Sequence, residues 1–257
     1  MKKSIILTIS AAVLLAGMGC NKNEIKYGDF DDVTASQAQL KLNYVSAYAS
    51  NPTVYLAIDG ARVSNPLTAR TPFPGGGFNT GGGSTADYLA LVPGKHTLSV
   101  VIPKKGTEAG TDSIALYNAE INIEAGKSQT AHITDTSSNT QLVMTTDDRT
   151  MPDTSTIRYQ FVHLMPNVPA IDLYYGTTIV ATNVLYKNTS VFTMPVPGTS
   201  LAWAIRPAGA LPTSTALATY TSTSTIVARR VITVFALGYS GATDAARKPY
   251  VSFLLNW

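Results

Sequence analysis

The chain has 257 residues, with 19 Lys and Arg against 16 Asp and Glu and a formal charge of +3. Charged residues make up only 14%, which excludes a nucleic-acid partner gripped by a basic surface. A single cysteine excludes any internal disulfide, so each domain must be held by its own apolar core.

The chain opens Met1-Lys2-Lys3, runs apolar over 5–16, then reads Gly17-Met18-Gly19-Cys20. A basic start, a short apolar stretch and small residues before a cut predict a secretory signal over 1–19. The apolar run falls short of the ~20 residues that span a bilayer. Cys20 sits where a bacterial lipoprotein signal puts its acylated cysteine. The stretch resembles that lipobox, with Gly17 in place of the usual leucine. Acylation there gives stable attachment, because more than one lipid chain is linked. The expected place is the cell envelope, at the outer membrane. Without Lys2 and Lys3 the charge falls to +1, since 17 basic residues remain against 16 acidic ones.

Residues 20–37 carry Lys22, Glu24, Lys26 and Asp29-Phe30-Asp31-Asp32 without periodicity, and predict a tether. The acidic run lacks the spaced oxygen ligands and turn glycine of a calcium loop. Alternating strands are predicted at 39–47, 53–58, 61–63, 88–92, 96–102, 113–123, 128–134 and 140–145. The turns Asp59-Gly60, Pro93-Gly94 and 124–127 lie between them. The first domain is therefore set at 38–148. A polar linker follows at 149–155, with Asp147-Asp148 at its edge read as solvated linker carboxylates. The second domain, 156–257, repeats the order with strands at 178–182, 190–196, 201–206, 225–228, 231–237 and 250–257.

The repeat is visible in the residues. Leu40, Leu42, Tyr44 and Val45 fall on Ile157, Tyr159, Phe161 and Val162, and Pro52 falls on Pro169. Pro52 to Pro93 is 41 positions and Pro169 to Pro197 is 28, so the first copy holds 13 more. The run Thr-Pro-Phe-Pro-Gly-Gly-Gly-Phe-Asn-Thr-Gly-Gly-Gly-Ser at 71–84 accounts for the difference and is read as a loop insertion. No segment keeps a helical period. Many short strands with turns between them predict an all-β chain of two tandem immunoglobulin-like antiparallel β-sandwich domains, joined by the linker and separate from one another.

The stretch Phe-Val-His-Leu-Met-Pro-Asn-Val-Pro-Ala-Ile-Asp-Leu-Tyr-Tyr at 161–175 is similar to the signature of the uncharacterised-domain family numbered 4397. Val162-His163, Pro166, Pro169-Ala170 and Ile171-Asp172-Leu173-Tyr174 carry the resemblance, and Val196-Pro197-Gly198 resembles a later turn. In the first copy Ser46 stands for the histidine and Tyr55 for the aspartate. The resemblance implies tandem envelope-anchored β-sandwiches and brings no catalytic residues.

Nothing in the residues points to catalysis. His96, His132 and His163 lack zinc-ligand spacing, and there is no Gly-x-Ser-x-Gly elbow. Neighbouring carboxylates such as Asp147-Asp148 point apart and cannot flank a scissile bond. The glycine run has no Gly-Lys-Ser/Thr and no following helix to cradle phosphate. It reads as a floppy linker, or else as a mobile loop presenting Phe73 and Phe78 to a ligand. His163 reads as a packed histidine bonding a turn carbonyl, with a ligand contact as the competing role. Tyr174 and Tyr175 are strand neighbours, so one of them, taken as Tyr175, is expected to face outward as a contact. Asp112-Ser113-Ile114 resembles a short O-glycosylation acceptor. The expected role is a non-catalytic binding or scaffolding lipoprotein without metal or cofactor. Its partners are the membrane, through its lipid, and envelope proteins or glycans. The competing role is a carbohydrate-binding accessory protein using the exposed aromatics and the inserted loop.

Overall fold

The computed structural model describes residues 36–103 and 114–257. The signal, Cys20, the acidic run, most of the tether and the Asp112-Ser113 pair lie outside them. The described residues belong to one compact unit. Its first half forms β1 Ala38–Tyr44, β2 Tyr55–Ile58, β3 Ala61–Arg62, β4 Thr71–Phe73, β5 Gly77–Phe78, β6 Leu89–Leu91, β7 Gly94–Ile102, β8 Ile114–Ile123, β9 Ser128–Thr134 and β10 Gln141–Thr146. Its second half forms β11 Thr156–Leu164, β12 Ala170–Tyr175, β13 Thr178–Leu185, β14 Thr189–Pro195, β15 Trp203–Pro207, β16 Ala218–Tyr220, β17 Val231–Leu237 and β18 Tyr250–Leu255.

Both halves are two-sheet sandwiches with one strand order. In the second, β14-β11-β17-β18 faces β13-β12-β15-β16. In the first, β10-β9-β1 faces β3-β2-β7-β8, with β4 and β6 both paired to β1 on its free side. Lettered A to H along the chain, the sheets run D-A-G-H and C-B-E-F. Strand A lies parallel to strand G, as β1 on β9 and β11 on β17. An immunoglobulin domain places A beside B and C beside F, so the sandwich expectation holds while the neighbour order differs.

Strand formation follows from period-2 alternation. On β11, Ile157, Tyr159 and Phe161 are fully buried, while Arg158 and Gln160 between them point to the other face. Each such side chain removed from water contributes roughly 2 kcal/mol. The second core centres on Trp203, whose ring lies 5.0 Å from Tyr159, 4.8 Å from Tyr175 and 5.7 Å from Phe253. Its indole N–H donates to the Thr225 hydroxyl at 2.9 Å, and the Tyr159 hydroxyl donates to the Thr225 carbonyl at 2.7 Å. These bonds remove the cost of burying the polar ends.

The sandwiches are not separate. The faces of the two A–G sheets that point away from their own cores pack on each other through Val45, Val143, Val162, Leu164, Phe235, Leu237 and Leu254. Lys41 and Asn43, which make β1 look half-solvated in sequence, are fully buried in this seam. The Lys41 ammonium donates to the Leu255 carbonyl and sits 4.3 Å over the Tyr88 ring. Asp147, expected as a solvated linker carboxylate, is buried here as well. It accepts from Tyr88 at 2.9 Å, Thr130 at 2.5 Å and Thr145 at 3.5 Å. Burial pushes its carboxyl up to about 6, and burial pushes the Lys41 ammonium down to about 8.

The glycine run is an ordered strap, which corrects the floppy-linker reading. In the second sandwich β14 pairs along β11 from Val162 to Thr156. In the first, that edge position is filled by two pieces, β4 beside Leu42–Tyr44 and β6 beside Ala38–Leu40. The inserted residues between them cross over and add β5 to the second sandwich, with Gly77 opposite Leu254 and Phe78 opposite Phe253. Gly77 is required there, because a Cβ would lie 1.9 Å from the Phe253 carbonyl oxygen.

Candidate functional site

A cleft of about 760 Å³ opens where loops of both sandwiches meet at one end of the unit. One wall is the segment after β1, with Tyr48, and the β9–β10 turn, with Asp135, Thr136 and Asn139. The other wall is the β17–β18 loop, with Tyr239, Ser240 and Arg247. Among the described residues no histidine or cysteine lines it. Because the parallel A–G pairing puts the far ends of β1, β9, β11 and β17 together, their exit loops converge here.

The walls are built with some backbone cost. Asp135 and Ser137 both take left-handed backbone, at φ 63° and 55°. The Tyr48 hydroxyl accepts the Ser137 N–H at 3.0 Å, which fixes that turn. The Tyr239 hydroxyl donates to Asp135 Oδ1 at 2.6 Å, joining the two sandwiches across the cleft. Burial, with the bond to Asp135 adding to it, pushes the Tyr239 phenol up to about 12. Asn167 exchanges two hydrogen bonds with the Ser240 backbone, at 2.9 and 3.0 Å, and Asp244 holds Arg247 at 2.9 Å. The cleft thus offers phenol rings, a carboxylate and an amide on braced loops.

None of the ligand contacts expected from sequence lines this cleft. Phe73 packs against the first core and Phe78 against the second, because the strap carrying them is paired on both sides. Tyr175 is only 6% exposed and packs at a tilt against Trp203, so it is not outward. Its neighbour Tyr174 points to the other face and is still buried at 1%, because its hydroxyl donates to the Ala210 carbonyl and Arg206 covers its ring. His163 is fully buried. Its Nε2 lies 2.8 Å from the Val168 carbonyl and its Nδ1 accepts the Met165 N–H at 3.2 Å, which places the proton on Nε2. Burial lowers it to about 4, so it is neutral near pH 7. Cys20 lies outside the described residues.

The other histidines are likewise engaged. His132 is buried in the seam, accepting from Asn43 at 2.9 Å and reaching Thr145 at 3.2 Å, and burial lowers it to about 3. His96 bridges Asp59 at 2.6 Å and the Val92 carbonyl at 2.7 Å, clasping two turns, and the bond to Asp59 raises it above its usual value. Among the described residues no group of three His, Cys, Asp or Glu is placed to hold a metal ion. Among them, too, no helix is long and apolar enough to cross a membrane.

Tyr48 and Tyr239 are two of the 13 tyrosines of the chain, and no motif in the sequence marks them. Their common feature is position: Tyr48 lies four residues past β1 and Tyr239 two residues past β17, each a strand of a parallel pair. Asp135 and Asn139 carry no such mark.

The family model for a domain of unknown function, DUF4397, matches residues 38–174. The match takes in the whole first sandwich and runs through β11 into the last but one residue of β12. No curated protein matches the chain.

Proposed function

Because the chain belongs to the DUF4397 family, a domain of unknown function, we propose its role from geometry: a non-catalytic binding module of the cell envelope. It is held to the membrane by lipid on Cys20, and it takes its ligand in the cleft between Tyr48 and Tyr239. The observation that carries this is the cleft itself, where loops of two sandwiches bring phenols, Asp135 and Asn139 to face one space. The engagement of His96, His132, His163 and Asp147 by neighbouring turns and seam groups supports binding over chemistry. The basic, apolar, small-residue order of 1–20 supports the signal, the lipid on Cys20 and an outer-membrane location. The shared strand order of the two sandwiches supports a tandem duplication of one family unit.

A second reading, carbohydrate binding, is favoured by the hydroxyl-matching groups of the cleft, and moves from the Phe73 and Phe78 loop to Tyr48, Asp135 and Tyr239. A glycan array probed with the wild-type chain tests it. Signal that falls on Tyr48→Ala and Asp135→Asn, at unchanged stability, supports it. Absence of any glycan signal, with an envelope protein co-purifying through the same residues, leaves the scaffolding role. Binding that ignores both substitutions overturns the cleft as the site.

A further inference from the structure

The two sandwiches share the same ends. Arg149 bonds Gln39 and the Asn256 carbonyl at one end, while Thr134 donates to the Leu164 carbonyl at the other. The chain enters at the first end, where Gln37 precedes β1. Eleven large apolar side chains are exposed among the described residues, and six sit in connections at this end. They are Val92 at 74%, Met151 at 41%, Val196 at 38%, Leu201 at 45%, Val227 at 42% and Trp257 at 47%. Of the other five, Ile114, Leu185 and Leu211 are at the opposite end, and Ile179 and Val191 lie on β13 and β14. The six come from both sandwiches and from five separate stretches of chain, so no single loop explains them.

The loops that carry them are braced. The Val196 N–H donates to the Ser155 carbonyl at 2.8 Å, the Arg229 N–H to the Thr156 carbonyl at 2.9 Å, and the Trp257 N–H to the Val231 carbonyl at 3.3 Å. The apolar tips are therefore presented by a fixed surface. Apolar groups held apart in this way gain nothing from one another and gain only from a partner that covers the whole end. Arg149 lies 5.3 Å from the Trp257 ring, the pairing of cation and indole suited to a headgroup boundary.

We propose that this end rests on a lipid bilayer, with Val92, Met151, Val196, Leu201, Val227 and Trp257 entering the boundary between headgroups and acyl chains. The inference rests on the lipid at Cys20 proposed above. Sixteen positions separate Cys20 from Ser36, a reach of at most about 55 Å. A tether of that length keeps this end at high effective concentration over the bilayer, so a weak contact suffices. At this end Asp148 pairs with Arg158 and Glu120 with Lys95, which leaves Lys127, Arg149, Arg229 and Arg230 nearly offset by Asp59, Glu124 and Asp153, so apolar burial holds the contact and an anionic lipid is not required. The Tyr48–Tyr239 cleft, at the opposite end, then opens away from the membrane.

The chain's two tryptophans provide the test, since Trp203 is fully buried in the second core and Trp257 is exposed. The lipidated full chain, purified from membranes, is placed in phosphatidylcholine vesicles with and without bromine on the acyl chains. Brominated lipid should quench part of the emission. Trp257→Phe should remove the quenched part and leave the Trp203 emission intact. The paired substitution Val92→Glu with Leu201→Glu, in exposed loops, should abolish quenching while the chain still floats with the vesicles. A chain that floats but whose Trp257 emission is unquenched overturns the proposal and leaves the anchor standing. A wild-type chain that does not float, like Cys20→Ser, overturns both.

Discussion

Gly77→Ala isolates the strap that joins the sandwiches. The new methyl would lie 1.9 Å from the Phe253 oxygen and 2.8 Å from the Leu254 Cα, both backbone atoms of a central strand that cannot yield. The strap must therefore lift off β18. Lifting it breaks the Leu255 N–H bond to the Gly76 carbonyl at 2.9 Å, the Asn79 amide bond to the Val251 carbonyl at 2.8 Å and the Ser252 bond to the Asn79 carbonyl at 2.7 Å. At about 1 kcal/mol net each, this costs roughly 3 kcal/mol before the packing of Phe78 is counted. For a chain of this size that lowers Tm by about 6–12 °C. Gly83→Ala, in the same glycine run, meets nothing within 4 Å and should stay within about 0.5 kcal/mol of wild type. Urea titration of both variants, followed by tryptophan emission, makes the comparison. Equal midpoints for the two variants would show that the strap is not paired to β18 as described.

Phe73→Ala and Phe78→Ala should each lower stability by about 3 kcal/mol in chemical denaturation, because both rings pack on cores; a change in ligand binding with unchanged stability would contradict their packing. Asp147 binds its proton more tightly folded than unfolded, with a folded value of about 6 against 3.8. Its contribution to stability is full below pH 4 and is lost as pH rises to 6, by up to about 3 kcal/mol. Asp147→Asn should remove that fall, so the wild-type minus variant difference measured by denaturation at pH 4, 5, 6 and 7 should slope downward with pH. His163 acts in the opposite sense: its folded value of about 4 lies below 6.5, so its stability contribution is lost as pH falls through that window. His163→Ala should cost about 2–4 kcal/mol in the same assay, since the Val168 carbonyl and the Met165 N–H lose their buried partner.

Much of the architecture was legible in the residues because alternation and turn chemistry are local. Leu40-Lys41-Leu42-Asn43-Tyr44 and Ile157-Arg158-Tyr159-Gln160-Phe161 announce strands by period alone, and their alignment exposes the repeat and the size of the insertion. The packed reading of His163 was also open to sequence, since its partner carbonyl lies only five residues on. What local pattern cannot carry is which faces are covered by remote chain. Lys41 and Asp147 look solvated because a strand with charges on one face normally meets water there. Only the docking of two A–G sheets removes that water and turns both groups into seam residues. For the same reason Tyr174 and Tyr175 could not be sorted into one inside and one outside, because a loop and Arg206 cover the second face. The glycine run gave its length and its permissive backbone in sequence. That it crosses to β18, and so packs Phe73 and Phe78 against the two cores, depends on a carbonyl 176 positions away from Gly77 along the chain. The alternation of apolar and polar residues determined the two sandwiches. Long-range burial alone decided that they form one body, with a cleft at one end and an apolar rim at the other.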